Sequence, residues 1–271
     1  MSSEEKTSHR LTLKYFIISM IIAIIIANVI VIFSEEHSKH SVSLWTLNIT
    51  AATASILCII VICRYGTHGL HGKSYLFLTL GLISWFSADF TLLYNYYVVG
   101  IKEQRLVTIT DALWFVGYGF LALHLFIVIR SLQIKIKSKV VIVVSIITVL
   151  FISYNVVNLL SYDFHTDDDF IAIIVTILYP ILDFMLIIPS SIILITLRKD
   201  FEHNIPWSLY SLSLLVNSIA DDGYVKDFVT GNSENLWFWE LFYITDFIIM
   251  SGALLWDNNF HISNSKKFKI E

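Results

Sequence analysis

Trp85-Phe86-Ser87-Ala88-Asp89 and Asp111-Ala112-Leu113-Trp114-Phe115-Val116-Gly117-Tyr118 are the centres of two long apolar legs, Tyr75 to Val99 and Val107 to Ile129. Each leg is long and apolar enough to cross a hydrocarbon core about 30 Å thick. Yet each carries a carboxylate inside or at the edge of the crossing. A similar hairpin recurs near the C-terminus, with Ala220-Asp221 on the way out and Glu240-Leu241-Phe242-Tyr243 on the way back. These four legs decide the fold class, and the rest of the chain repeats their pattern.

Composition agrees with that reading. Hydrophobic residues make up 56% of the 271, charged residues only 15%, and the mean hydropathy is +0.72. A soluble domain would be about a quarter charged. The apolar residues gather into eight runs: Tyr15 to Phe33, Leu44 to Cys63, Tyr75 to Val99, Val107 to Ile129, Val140 to Leu160, Phe170 to Leu197, Trp207 to about Tyr224, and Leu236 to Trp256. The first is too long for a signal-peptide core and lacks a small-x-small cleavage site, so it is read as a permanent span. The expected fold is all-α: a polytopic membrane protein with eight transmembrane helices. Residues 1–14 form an N-terminal segment, 15–256 one membrane domain and 257–271 a short tail.

Eight crossings put both termini on one side. Of the 18 Lys and Arg residues, 14 fall on that side, so the positive-inside rule predicts a cell-membrane protein with both termini cytoplasmic. The acidic loop from Asp163 to Asp169 then faces outward. The tail is too short for a catalytic or DNA-binding module, and no nucleic acid is expected as a partner. Cys58 and Cys63 share one apolar run and are read as small buried side chains rather than metal ligands.

An internal repeat is suggested by register. A shift of 132 residues places Asp89 on Asp221. A shift of 129 places Asp111 on Glu240, Trp114 on Tyr243 and Tyr118 on Phe247. A four-plus-four duplication would leave the halves parallel, because four is even. Similarity between aromatic-rich apolar helices also arises by chance, so both readings stand at the sequence level.

Depth follows from orientation. Asp89, Asp221, Glu240 and Asp246 fall in the outer half of the bilayer, Asp111 near its outer edge and Asp183 near the middle. An acid at a helix centre costs about 2.5–3.5 kcal/mol, so five facing lipid would cost on the order of 10 kcal/mol. No Lys or Arg lies at matching depth. The expectation is an outward-opening acidic cavity in which the acids meet water, share protons or bind a cation. Asp111, Trp114 and Tyr118 fall on one helical face, as do Asn217, Asp221 and Tyr224; Glu240, Tyr243 and Asp246; and Tyr179 with Asp183. Each acid thus has an aromatic neighbour, the wall material of a small-ligand pocket. The candidate ligand- or cation-binding residues are Asp89, Asp111, Asp183, Asp221, Glu240, Asp246, Trp114, Tyr118, Tyr179 and Tyr243. Asp89 and Asp221 are expected to face each other across the bundle axis.

Plainer readings stand beside these. Asp111 fits a first-turn helix acid equally well. Asp222 and Lys226 read as an i, i+4 ion pair, and Trp207, Trp237 and Trp239 as interfacial anchors. Pro180 and Pro189 would kink the sixth span. His68 and His71 lack a third ligand and His124 stands alone in its span, so neither a metal nor another cofactor is expected. The inner halves of the third, fourth and eighth spans read as mostly apolar.

The third and fourth spans, with Tyr179-Pro180-Ile181-Leu182-Asp183 and Ala220-Asp221, resemble the multi-helix membrane sensor regions that precede diguanylate cyclase or histidine kinase domains in microbial signalling proteins. The resemblance covers about two thirds of the chain, the third to eighth spans. It implies a sensor or receptor-like protein binding a small ligand or cation. With only 15 residues after Trp256, output is expected to pass through a separate signalling partner. The alternative is a transporter or ion-translocating protein, for which Asp183 in a proline-bearing span is the signal. An intramembrane enzyme ranks third, for want of a metal triad or an activated nucleophile.

Overall fold

A computed structural model describes residues 3–101, 108–132, 137–160, 169–229 and 235–262, and every regular element among them is helical. Eight long helices follow in order: α1 (Ser3–Ile32), α2 (Glu36–Tyr65), α3 (Gly69–Tyr94), α4 (Ile109–Ser131), α5 (Ser138–Leu160), α6 (Asp169–Leu197), α7 (Ile205–Val229) and α8 (Leu236–Trp256). Seven of them are long and apolar enough to cross a membrane. The exception is α7, which carries Asp221, Asp222, Lys226 and Asp227 in its last two turns. Its neighbours shield it: α7 packs along α8 and α6, and most of its residues from Ile205 to Ala220 are buried. The large side chains left exposed are instead the aliphatic and aromatic ones of α1, α5 and the outer faces of the bundle, such as Ile22, Ile25, Ile146 and Leu150. Such a surface belongs in lipid. The chain is a multi-pass membrane protein.

The helices pack in matched pairs. The hairpin α3–α4 corresponds to α7–α8, and the contact of α2 on α3 to that of α6 on α7. The two sets close on each other through α2 against α8 and α4 against α6. The outermost helices differ, since α1 packs on α2 and α8 whereas α5 packs on α6 and, slightly, on α7. Within α3–α4 the backbones approach closely at Gly81 and Gly117. A Cβ on Gly117 would fall inside the Trp85 indole, and one on Gly81 would meet Leu121. Small residues at a crossing are what permit such an approach between membrane helices.

Three details differ from the sequence reading. Trp207 is not an interfacial anchor but is buried, stacked on His71 and Tyr75 at centroid distances of 5.5 and 5.7 Å. No Asp222–Lys226 ion pair is described: both Asp222 oxygens are buried without a hydrogen-bond partner, and Lys226 is exposed. Their i, i+4 spacing brings the Cβ atoms together but does not fix which way two flexible side chains turn. Cys58 is buried beside Thr79, as expected, while Cys63 points outward. Pro180 and Pro189 both lie inside an unbroken α6. Of the acidic loop, residues 161–168 lie outside the described residues.

Candidate functional site

α2, α4, α6 and α8 each contribute an early stretch, and α3 and α7 a late one, to a cavity at one end of the bundle. It is the end at which α3 passes over to α4 and α7 to α8. The cavity holds about 910 Å³, its solvent-open part included. Its lining has a regular register. Leu44 and Leu47 of α2 answer to Thr176 and Tyr179 of α6, 132 residues on. Trp85, Asp89 and Leu92 of α3 answer to Asn217, Asp221 and Tyr224 of α7 at the same offset. Asp111, Trp114 and Tyr118 of α4 answer to Glu240, Tyr243 and Phe247 of α8 at an offset of 129. Only Val225 and Phe228 complete the wall without a counterpart in it.

The register extends to hydrogen bonds. Trp114 on α4 donates its indole N–H to Asp89 Oδ1 on α3 at 3.2 Å. At the equivalent place, Tyr243 on α8 donates its hydroxyl to Asp221 Oδ1 on α7. The chemistry then diverges. Asp221 receives two further donors, Asn217 Nδ2 at 2.7 Å and the Tyr118 hydroxyl. Asp89 Oδ1 receives only Trp114, and no donor to its other oxygen is described.

Asp111 is both a helix-capping acid and a cavity residue. It closes a capping box with Thr108, accepting from the Thr108 backbone N–H at 2.7 Å and from its hydroxyl at 3.1 Å. Its other oxygen accepts from the Tyr179 hydroxyl at 2.7 Å. Glu240, 3% exposed, accepts from Ser43 on α2, and His40 Nδ1 stands 3.7 Å from its other oxygen. Among the described residues none of these four carboxylates meets a Lys or Arg. Lys39, close by in sequence, is held by Glu36 at 2.6 Å and lies 4.3 Å over the Trp237 ring.

Eight of the ten sequence-predicted residues therefore meet at one cavity; Asp183 and Asp246 do not reach its wall. Asp183 is fully buried behind Tyr118, whose hydroxyl lies 3.1 Å from Asp183 Oδ1, and Asp183 Oδ2 has no hydrogen-bond partner. Tyr118 has one hydroxyl hydrogen for two carboxyl groups, Asp183 and Asp221. All three groups are satisfied only if one carboxyl carries a proton. Asp246 turns away to Ser213 on α7, which donates to it. This pair occupies the register of Gly117 and Gly81, so the second hairpin has a polar bridge where the first has a close glycine crossing.

Sequence reasoning passed over α2 and Thr176. α2 contributes no acid, and Leu44 and Leu47 look like any lipid-facing leucines. Only the period Ser43, Leu44, Leu47, Asn48, all buried, marks the inward face. It also missed Asp257 at the opposite end, where His124 lies too. Asp257, buried in the π-helical turn Asp257–Ile262, accepts from Tyr75 and, at 3.2 Å, from Tyr210. His124 Nδ1 lies 3.0 Å from the Ser74 carbonyl. The end of the bundle opposite the cavity is thus not uniformly apolar. Fully buried Leu78, Leu82, Leu121, Leu214 and Met250 form the apolar core of the same helices. No group of three or more metal-ligating side chains converges among the described residues. No protein-family model, curated protein or solved structure matches the chain.

Proposed function

We propose that the protein is a sensor or receptor-like membrane protein that binds a small ligand in the cavity between its two halves. All eight long helices cross the bilayer with both termini cytoplasmic, and the halves α1–α4 and α5–α8 descend from a four-helix unit by duplication. The cavity then opens outward and reports on the exterior, passing its signal to a separate partner. The observation that carries this reading is the cavity itself: four buried carboxylates and an aromatic wall, in paired register, around space that the chain does not fill. Ligand pockets are built of apolar walls with a few placed polar groups. The resemblance of the third to eighth spans to microbial sensor regions points the same way.

Thermal denaturation of the purified protein against a panel of amines, metal cations, organic acids and neutral solutes tests this. A ligand at about 100 times its Kd should raise Tm by about 5 °C, and Leu47→Trp, which fills the cavity, should abolish the rise. A flat panel would count decisively against a binding cavity.

Asp257 with Tyr75 and Tyr210 favours a second reading, transport, because it places buried polar groups at both ends of one set of helices. The apolar residues between the two ends would then have to part during a cycle. Flux into proteoliposomes, lost in Asp183→Asn, would select that reading.

A further inference from the structure

The hydrogen-bond balance of the cavity identifies its ligand class. Resting on the cavity's being a binding site, we infer that it takes an organic ammonium ion, held between Asp89 and Glu240 and walled by aromatic rings. The donors described around the cavity are nearly all spent on the protein itself. Tyr118 and Asn217 serve Asp221, as does Tyr243. Tyr179 serves Asp111, Trp114 serves Asp89, and the Trp85 indole serves the Trp114 carbonyl at 3.2 Å. Asp111, which also accepts twice from Thr108, and Asp221 each hold three protein donors.

What remains is acceptor capacity. The second oxygen of Asp89 has no described donor, and the one contact described for Glu240 Oε1 is His40 at 3.7 Å. Thr176, 1% exposed, lines the wall with its hydroxyl unpartnered. Its carbonyl stands four residues before Pro180, which has no N–H to offer it. A site rich in acceptors, with no Lys or Arg described on its carboxylates, suits a cationic donor and opposes an anion.

The walls decide between an organic and a bare cation. Metal cations such as calcium take six to eight oxygen ligands, and the oxygens described here without a close protein donor, on Asp89, Glu240 and Thr176, fall short of that number. Aromatic faces attract ammonium groups, more strongly once these are desolvated. The pseudo-symmetric cavity is therefore used asymmetrically. The ammonium binds on the α3–α8 side, beside α2, while Asp111 and Asp221 hold the frame.

Titration calorimetry on the full chain in detergent, with phenethylammonium, 2-phenylethanol and phenylacetate as probes, tests the class. Short-chain phosphatidylethanolamine is a fourth probe, since a lipid headgroup carries the same ammonium. Phenethylammonium should bind, and the alcohol and the acid should not. Asp89→Asn and Glu240→Gln should each weaken binding about tenfold or more. Asp222→Asn, half-buried and outside the cavity lining, should change it less than about twofold. Binding by phosphatidylethanolamine alone keeps the ammonium and assigns it to a lipid. Equal binding of alcohol and ammonium overturns the ammonium assignment and leaves a binding cavity standing. Binding of none of the four overturns the assignment too, and the Leu47→Trp panel then decides whether the cavity binds anything. The wild-type comparison needs no variant to fold.

Discussion

The hairpins α3–α4 and α7–α8 carry the same register and different chemistry. Both place an acid late on the outgoing helix and an aromatic donor on the returning one, Asp89 with Trp114 and Asp221 with Tyr243. Asp221 is then locked by Tyr118 and Asn217, whereas Asp89 is left half-satisfied. Where the first hairpin packs Gly81 against Gly117, the second bridges Ser213 to Asp246. The proposed duplication explains the shared register. In the proposed reading the divergence gives the two hairpins two roles: one fixes the cavity's shape, and the other keeps valence open for a ligand.

Truncation breaks this comparison most severely. Asp221→Ala strands Asn217 and Tyr243 in a buried site and leaves Tyr118 to Asp183 alone, whereas Asp89→Ala strands only Trp114. At about 1–3 kcal/mol per unsatisfied buried group, Asp221→Ala should destabilise by about 3 kcal/mol or more and Asp89→Ala by about 1 kcal/mol. Unfolding in mixed micelles measures both; equal losses would refute the division of labour. Next comes the helix crossing. Gly117→Ala drives a methyl into the Trp85 indole and should cost about 1–3 kcal/mol. Asp246→Asn, at the matching position, preserves an acceptor for Ser213 and should cost less than about 1 kcal/mol. If the order reversed, the two crossings would not differ as described.

Smaller still is a spectroscopic sign. The Asp183–Tyr118–Asp221 trio needs one protonated carboxyl, so infrared spectra at neutral pH should contain a protonated-carboxyl band that shifts in Tyr118→Phe. A spectrum unchanged by that substitution would remove the shared proton. The smallest effect is expected at Asp222, which makes no described ion pair with Lys226: Lys226→Met should leave stability within about 0.5 kcal/mol.

The membrane architecture was legible because runs of about 20 apolar residues have few other uses. α7 reads as a span from its apolar run, yet among the described helices it is the long one too polar to count as a span by composition; α6 and α8 pack against it and most of its residues from Ile205 to Ala220 are buried. The site was legible through its acids, which stand out against an apolar background, and helical period placed Asp111, Trp114 and Tyr118 correctly on one face. Period gives a face, however, and not the neighbour that face meets. That is why Asp183 and Asp246 were grouped with the cavity when one sits behind Tyr118 and the other turns to Ser213. Leu44, Leu47 and Ser43 carried no such contrast. Trp207 was misread because an aromatic near a helix end serves an interface or a core with the same sequence signature.

An electron cryo-microscopy map of the protein with phenethylammonium bound tests the central claim most directly. Density for the probe is expected inside the cavity, its ammonium between Asp89 and Glu240, with Asp111 still bonded to Tyr179 and Asp221 to Tyr118. Density centred on Asp221 with its donors displaced, or probe bound only outside the bundle, would contradict it.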